Sequence, residues 1–116
     1  MNIAHLLDMD GVLVRGGEPI EGSVDFVRIL IEDMRAFQIF TNNSRYTPED
    51  HAHRLRRMGF PVEPHHIYTS ALATARFVSK QLPGASAYAI GDQGLLSALQ
   101  AAGCRFTVFS LSLIHI

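Results

Sequence analysis

The fold class follows from one stretch near the N-terminus, IAHLLDMDG, at residues 3–11. This stretch is an apolar run that ends abruptly in Asp8, Asp10 and Gly11. Such a run is typical of a buried parallel strand whose carboxyl end lies at the edge of an α/β sheet, where these folds bind their ligands. Because successive side chains of an extended segment point to opposite faces, Asp8 and Asp10 should share one face and Met9 should point away.

Two neighbouring carboxylates repel each other unless a cation lies between them or one of them holds a proton. Oxygen ligands favour a hard cation, and Mg2+ is usually held by one or two carboxylates together with water and substrate phosphate oxygens. One ionised aspartate can then attack phosphorus while the other handles the proton of the leaving group. This pattern favours a metal-assisted site, and the alternative is a solvated Asp-x-Asp-Gly turn.

A second polar cluster supports the first interpretation. The apolar segment FQIF at residues 37–40 is followed by TNNS at residues 41–44, and apolar side chains recur at the helical period over residues 23–33. A strand, a helix and a strand in this order form a right-handed crossover, which makes the strands parallel and brings both polar ends to one edge. Hydroxyl, amide and backbone N–H groups can bind phosphate oxygens there without adding negative charge.

These clusters resemble the first two signatures of a known superfamily. Residues 8–13, DMDGVL, look like the first signature of the haloacid dehalogenase-like (HAD) hydrolases. Residues 41–44 look like the second signature in subfamily IIA, the NagD-like sugar-phosphate and 4-nitrophenyl-phosphate phosphatases. The resemblance reaches about Phe109 and includes residues 17–22, 47–49, 69–71, 89–91 and 95–103.

The resemblance implies an α/β fold, namely a Rossmann-like, doubly wound parallel sheet with flanking helices. It implies that Asp8 is the nucleophile that forms an aspartyl-phosphate, and that Asp10 is the general acid and then the general base. It also implies a Mg2+ cofactor, held by the Asp8 carboxylate, the backbone carbonyl of Asp10 and an acid from a later strand. Thr41 would bind the transferring phosphoryl group, with Asn42 and Asn43 supporting it and the substrate.

Part of the superfamily's active site has no counterpart in these 116 residues. The superfamily also uses a lysine that neutralises the phosphate and a later acidic motif that completes the metal site. The single lysine, Lys80, lies in a helical pattern and too early to match, and Asp92 is expected to end a strand or start a helix. Arg45 is a candidate contact for an anionic substrate, with a surface position without function as the alternative.

The resemblance also predicts how the chain is divided. Residues 1–82 would be the N-terminal part of the hydrolase core, and residues 83–110 the start of a cap domain. Residues 111–116, LSLIHI, look like a translated sequencing adapter, with a native apolar strand as the alternative. The fold would thus be truncated early in the cap and lack the C-terminal half of the core. We expect the first strand to be left at a sheet edge, and the chain alone to be aggregation-prone and inactive.

The expected function is Mg2+-dependent hydrolysis of small phosphomonoesters, such as sugar phosphates or nucleotides. One alternative is a phospho-acceptor signalling domain of the receiver type, which needs a phosphorylatable aspartate at the end of a later strand. Here the segment at residues 37–40 ends in TNNS instead. The other alternative is a non-catalytic protein that only binds phosphate in the same crevice.

Composition limits the partners and the location. The chain is 47% hydrophobic and 18% charged, as is usual for a globular domain. A formal net charge of -1 gives no basic field for nucleic acid or a membrane surface. The resemblance implies a small phosphorylated metabolite as the partner. The single Cys104 and the lack of an apolar run of membrane-span length favour the cytoplasm. Caps of this family often mediate assembly, so the full-length form could be a homo-oligomer.

Periodicity and turn signals predict the remaining elements. A helix should begin at Pro48, after the N-cap Thr47, and end before Gly59. Further helices are expected over residues 70–82 and 95–102, and strands over residues 85–90 and 105–109.

Four histidines, His51, His53, His65 and His66, could be drawn as a zinc cluster. His51 and His53 are two apart on a predicted helix, however, and would point to different faces. Surface positions are therefore expected for these histidines.

Overall fold

The computed structural model describes residues 3–84 and 86–108, which form alternating strands and helices. The strands are β1 (Ala4–Asp8), β2 (Val14–Arg15), β3 (Glu18–Pro19), β4 (Ala36–Thr41), β5 (Ile67–Thr69), β6 (Ser86–Ala89) and β7 (Arg105–Val108). The helices are α1 (Ser23–Glu32), α2 (Pro48–Arg57), α3 (Ser70–Gln81) and α4 (Gln93–Ala101), and a 3-10 helix covers Pro64–His66.

The chain divides into two compact units. One contains the residues up to Thr41 and Pro48–Tyr68, and the other contains Asn42–Thr47 and the residues from Thr69 onward.

The first unit is built on a sheet of three strands in the order β1-β4-β5. β1 and β4 are parallel, with Ala4 opposite Ala36 and Asp8 opposite Phe40. Their carboxyl ends therefore lie at the same edge of the sheet, which confirms the predicted crossover through α1. β1 is an outer strand of this sheet as the structure describes it, in agreement with the expected edge position.

One face of this sheet carries the hydrophobic core of the first unit. Ile39 of β4 and Ile67 of β5 cluster with Val27 of α1 and Leu55 of α2. All four side chains are at most 2% exposed, so both helices cover the same face. Burial of each such side chain stabilises the fold by about 1.5–3 kcal/mol.

The opposite face of the sheet is open in the described part of the chain. Leu6 is 69% exposed and Phe40 is 37% exposed. Phe40 packs edge-to-face with Tyr68 of β5, with ring centroids 5.6 Å apart. Because a parallel sheet usually has both faces covered, this face is where a doubly wound fold would place its other helices.

The predicted helices are present, with ends that shift by one or two residues. α1 and α3 each end one residue earlier than predicted. α4 begins at Gln93, two residues earlier than predicted, and Asp92 is its N-cap residue. None of the four described helices is long and apolar enough to cross a membrane.

Three short strands lie where the sequence predicts no strand. β2 and β3 form an antiparallel hairpin whose turn contains Gly16 at a φ of 63°, in the left-handed region that favours glycine. β5 has three residues and runs directly into α3. Strands of two or three residues show no alternation, which is why periodicity cannot reveal them.

In the second unit, α3 and α4 pack through small side chains. Ala71, Ala75 and Ala98 cluster with Leu99 in its core. β6 and β7 are parallel and are connected by α4, as the predicted strand, helix and strand require. The assignment of residues 83–110 to a cap domain stays a prediction, and the adapter-like residues 111–116 lie outside the described residues.

His51 corrects the expectation that the four histidines lie on the surface. Its side chain is 2% exposed and lies in α2, one turn before the buried Leu55. Residues four apart share a helix face, so His51 faces the core whereas the exposed His53 does not. The predicted difference in direction is thus correct, but the predicted surface position of His51 is wrong.

His66 has the most distinctive environment of the four histidines. Its ring stacks on Phe37 of β4, with centroids 4.4 Å apart. Its Nδ1 accepts a hydrogen bond from the backbone N–H of Glu63 at 2.9 Å, which requires that this nitrogen carries no proton. Burial and the neighbouring His65 lower the pKa of His66 below its ordinary value of 6.5, and Glu63 partly opposes them.

We predict that part of the free energy of unfolding is lost on acidification through His66. In the unfolded chain, the His66 ring takes up a proton near pH 6.5. In the folded chain, the same ring takes up a proton only at a lower pH. The contribution of the neutral His66 ring to the free energy of unfolding is therefore complete above pH 6.5. It is lost as the pH falls through the lower folded-state pKa. Urea unfolding at about pH 7 and about pH 5 measures the loss in the free energy of unfolding between these two pH values. His66→Gln should make this loss smaller. The exposed control His53→Gln should leave it unchanged. An equal loss in His66→Gln and the unaltered chain would contradict this.

Candidate active site

The first predicted motif lies at the carboxyl end of β1. β1 ends at Asp8, and the chain bends at Met9 before it reaches Asp10. Both aspartates are exposed, whereas Met9 is 5% exposed and belongs to the core. The backbone N–H of Met9 donates to the carbonyl of Phe40 at 2.9 Å and so extends the β1–β4 ladder by one residue. The buried methionine thus anchors the segment that presents the two carboxylates, as the alternation predicts.

The loop that carries the second aspartate closes tightly on Met9. The Met9 carbonyl accepts hydrogen bonds from the backbone N–H groups of Leu13 at 3.0 Å and Val14 at 3.1 Å. Gly11 has a φ of 83°, which favours glycine, and its N–H donates to the Val14 carbonyl at 2.8 Å. Leu13 and Val14 are buried, so the loop is held by the core as well as by its own hydrogen bonds.

A hydrogen bond joins the two predicted motifs. Thr41 Oγ1 donates to Asp10 Oδ2 at 3.2 Å, between residues 31 positions apart in the sequence. Thr41 is the last residue of β4 and is 3% exposed, so its position is restrained by the surrounding protein. The contact confirms that the polar ends of β1 and β4 meet at one edge. A hydroxyl donor and a carboxylate there lie within reach of one phosphate-sized ligand.

Asn42 and Asn43 follow Thr41 in the chain and belong to the second compact unit. The Asn42 carbonyl accepts a hydrogen bond from Ser70 Oγ of α3 at 3.1 Å. The side-chain carbonyl of Asn43 accepts from the backbone N–H of Arg45 at 3.0 Å, which is an Asx-turn. Both asparagines and Arg45 are exposed. These residues thus lie in a loop with its own hydrogen bonds. Their contacts with phosphate stay predictions.

The oxygen donors at the end of β1 are of the kind that Mg2+ takes. Mg2+ uses one or two carboxylates and completes its shell with water and substrate oxygens, so the exposed Asp8 and Asp10 fit it. Among the described residues, no group of three His, Cys, Asp or Glu side chains could hold a metal ion. Within that part of the chain, no third side chain of these types therefore joins Asp8 and Asp10.

Lys80 and Asp92 lie outside the two motifs. Lys80 lies in α3 and is exposed. Asp92 is the N-cap of α4, and its carbonyl accepts from the backbone N–H groups of Leu95 at 3.1 Å and Leu96 at 3.2 Å. The expected helix-start position of Asp92 is thus confirmed.

Two serines support the motifs without belonging to them. Ser23 Oγ donates to the Leu13 carbonyl at 2.8 Å and ties α1 to the loop after β1. Ser70 Oγ does the same for the Asn42 carbonyl. Each serine is the first residue of a helix, and that position is the only sign of these roles in the sequence.

Comparison with known proteins identifies the family. The sequence pattern of the haloacid dehalogenase-like hydrolases matches residues 5–105. Dihydroxyacetone phosphatase from Corynebacterium glutamicum (strain R) is 44% identical over 107 residues, which cover 92% of this chain and 39% of that protein. This chain belongs to the haloacid dehalogenase-like hydrolases. It spans about two fifths of the length of this curated relative.

Solved structures agree with this assignment. A protein from Pyrococcus horikoshii OT3 has a TM-score of 0.86 and 39% identity, and the match covers 91% of this chain and 41% of that chain. A glycerol phosphate phosphatase from Mycobacterium tuberculosis, solved in complex with magnesium, has a TM-score of 0.78 and 28% identity, covering 90% of this chain and 31% of that chain. Within the family, this chain falls among the NagD-like and p-nitrophenyl phosphatase proteins, as its motifs predict.

The hydrogen bond between Thr41 and Asp10 predicts an energetic coupling between these residues. Thr41→Val removes the donor, Asp10→Ala removes the acceptor, and the double variant closes a thermodynamic cycle. We expect a coupling of about 0.5–1.5 kcal/mol in the free energy of unfolding, measured by urea titration. In the control cycle, Thr41→Val is combined with Asp25→Ala on the exposed side of α1, where the effects should add. Additive effects of Thr41→Val and Asp10→Ala would show that the contact carries no energy.

Proposed function

We propose that this chain is part of a Mg2+-dependent phosphatase that hydrolyses small phosphomonoesters through an aspartyl-phosphate. The hydrogen bond between Thr41 Oγ1 and Asp10 Oδ2 carries the proposal, because it joins the carboxylate end of β1 to the hydroxyl end of β4. The family and the similarity to proteins named as phosphatases support it. Since the chain covers 39% of the dihydroxyacetone phosphatase, the activity is proposed for a longer protein that contains it.

Asp8 would be the nucleophile in the first step. Its carboxylate is exposed at the end of β1 and free to approach phosphorus from solvent. A carboxylate oxygen of Asp8 forms a bond to phosphorus as the ester P–O bond breaks, and Asp10 gives its proton to the departing alcohol. In the second step, Asp10 takes a proton from water, whose oxygen attacks phosphorus and releases Asp8 and inorganic phosphate.

Thr41, Asn42 and Asn43 would bind the phosphoryl oxygens. Their hydroxyl and amide groups donate hydrogen bonds without adding negative charge, which suits a dianionic ligand. In the structure, Thr41 donates to Asp10, so a bound phosphoryl oxygen would compete for the same hydroxyl. Release of this hydrogen bond would leave the Asp10 carboxyl group available to carry the proton of the leaving group.

Asp8, through its carboxylate, and Asp10, through its backbone carbonyl, would hold Mg2+. When bound, this cation neutralises charge on the phosphoryl group and on the attacking carboxylate. The remaining acid ligand and the phosphate-neutralising lysine of the family are proposed to come from the rest of the longer protein. Lys80 in α3 is not assigned to that role.

The proposed substrate is a small phosphorylated metabolite. One relative is named dihydroxyacetone phosphatase, others are named acid sugar phosphatase, and one solved neighbour is a glycerol phosphate phosphatase. These names share a short polyol or sugar carrying a phosphate ester. A cytoplasmic location and a homo-oligomeric full-length form stay predictions.

The two alternative functions differ in what they require. A phospho-acceptor domain requires a phosphorylatable aspartate at the end of a strand later than β1, whereas β4 ends in Thr41. A non-catalytic phosphate-binding protein requires the same contacts but no turnover. Measurement of turnover therefore separates the proposed enzyme from the second alternative.

We predict that Asp8→Asn abolishes turnover in the longer protein while the fold is retained. The substitution removes the nucleophile at almost constant volume, so a loss of about a thousandfold or more in kcat is expected. Hydrolysis of 4-nitrophenyl phosphate with Mg2+ measures the effect, and circular dichroism checks the fold. Asp25→Asn, which changes an exposed acid of α1, is the matched control. A variant at Asp8 that keeps a tenth of the activity would refute the assignment of the nucleophile.

The 116-residue chain alone should hydrolyse no 4-nitrophenyl phosphate, even with Mg2+. The structure describes no third acid beside Asp8 and Asp10, and it leaves Leu6 exposed on an open sheet face. Such a face favours self-association. Size-exclusion chromatography and a phosphatase assay test both points. Purification of a monomer that turns over substrate would contradict the proposed division of the active site.

A further inference from the structure

The loop Asn42–Thr47, which contains most of the second motif, packs against the first turn of α4 at Gly94. Gly94 is buried. A Cβ atom at this position would overlap the backbone carbonyl oxygen of Ser44 and would lie 2.8 Å from that of Tyr46. Both neighbours are backbone atoms, which cannot rotate away as the end of a side chain can. The contact therefore requires glycine, or a shift of the loop or the helix.

The backbone angles of Gly94 do not explain why glycine is present. Its φ lies outside the positive range, in contrast to that of Gly103 at the end of α4. Within a helix, glycine is less favourable than alanine because it loses more backbone freedom on folding. Without the neighbouring loop, alanine at position 94 would thus stabilise α4. The close approach of the loop is the feature that opposes this gain.

One hydrogen bond also restrains the same loop. Ser70 Oγ, at the start of α3, donates to the Asn42 carbonyl at 3.1 Å. The loop is therefore held at its beginning by α3 and in its middle by α4.

We propose that Gly94 and Ser70 are positioning residues for phosphate binding by Asn42 and Asn43. In this role, neither residue would touch the substrate. They hold the loop in the conformation that its asparagines need when a phosphoryl group is bound. This inference rests on the proposed function and adds to it two residues outside the motifs.

Inhibition of the longer protein by inorganic phosphate tests this inference. Gly94→Ala should raise the Ki for phosphate and the KM for 4-nitrophenyl phosphate by at least about tenfold, because misplacement of a binding group by a fraction of an ångström is costly. Hydrogen exchange should become faster in residues 42–47. Gly17→Ala is the matched control, because its Cβ would meet no atom within 4 Å and its φ is not positive. This control should leave Ki, KM and exchange unchanged.

Ser70→Ala gives a milder version of the same test. It removes one hydrogen bond to the loop and creates no steric overlap, so it should raise the Ki for phosphate several-fold. If Gly94→Ala prevents folding, Ser70→Ala alone tests the positioning role. If the unaltered protein is active and the folded variants have an unchanged Ki for phosphate, the positioning role is wrong and the proposed function is unaffected. An unaltered protein that neither hydrolyses 4-nitrophenyl phosphate nor binds phosphate would overturn the proposed function and this inference together.

Discussion

The parallel pairing of β1 with β4 is the constraint on which the rest of the structure depends. Its register places Asp8 opposite Phe40, so the residues that follow each strand emerge at one edge. The hydrogen bond from Thr41 Oγ1 to Asp10 Oδ2 joins the two strand ends at this edge. A shift by one residue would turn every side chain of β1 to the other face and would bury the carboxylates that are now exposed.

Apolar side chains hold this polar edge in place. Met9 alternates with the two aspartates and is buried, and Leu13 and Val14 return the loop to the core. Folding thus leaves Asp8 and Asp10 exposed at the carboxyl end of β1. Exposed carboxylates at this edge are what the proposed binding of a metal ion and a phosphate ester requires.

The sequence predicts those parts of the site that depend on local pattern and connection. The apolar runs before Asp8 and Thr41, joined by a helical stretch, are sufficient to predict a crossover and hence the meeting of both motifs. The contacts of Gly94 and the burial of His51 could not be predicted, because they depend on which loop or core position lies opposite a helix. The hairpin of β2 and β3 is too short to show a period, although its Gly16-Gly17 turn is a recognisable signal.

The most direct test of the central claim is a crystal structure of the longer protein with Mg2+ and inorganic phosphate. The phosphatase hypothesis predicts a phosphate oxygen within hydrogen-bond distance of Thr41 Oγ1. It also predicts phosphorus at about 3–3.5 Å from a carboxylate oxygen of Asp8. Phosphate bound elsewhere, with Thr41 still donating to Asp10 and Asp8 facing only solvent, would contradict the claim that these two strand ends form one phosphate site.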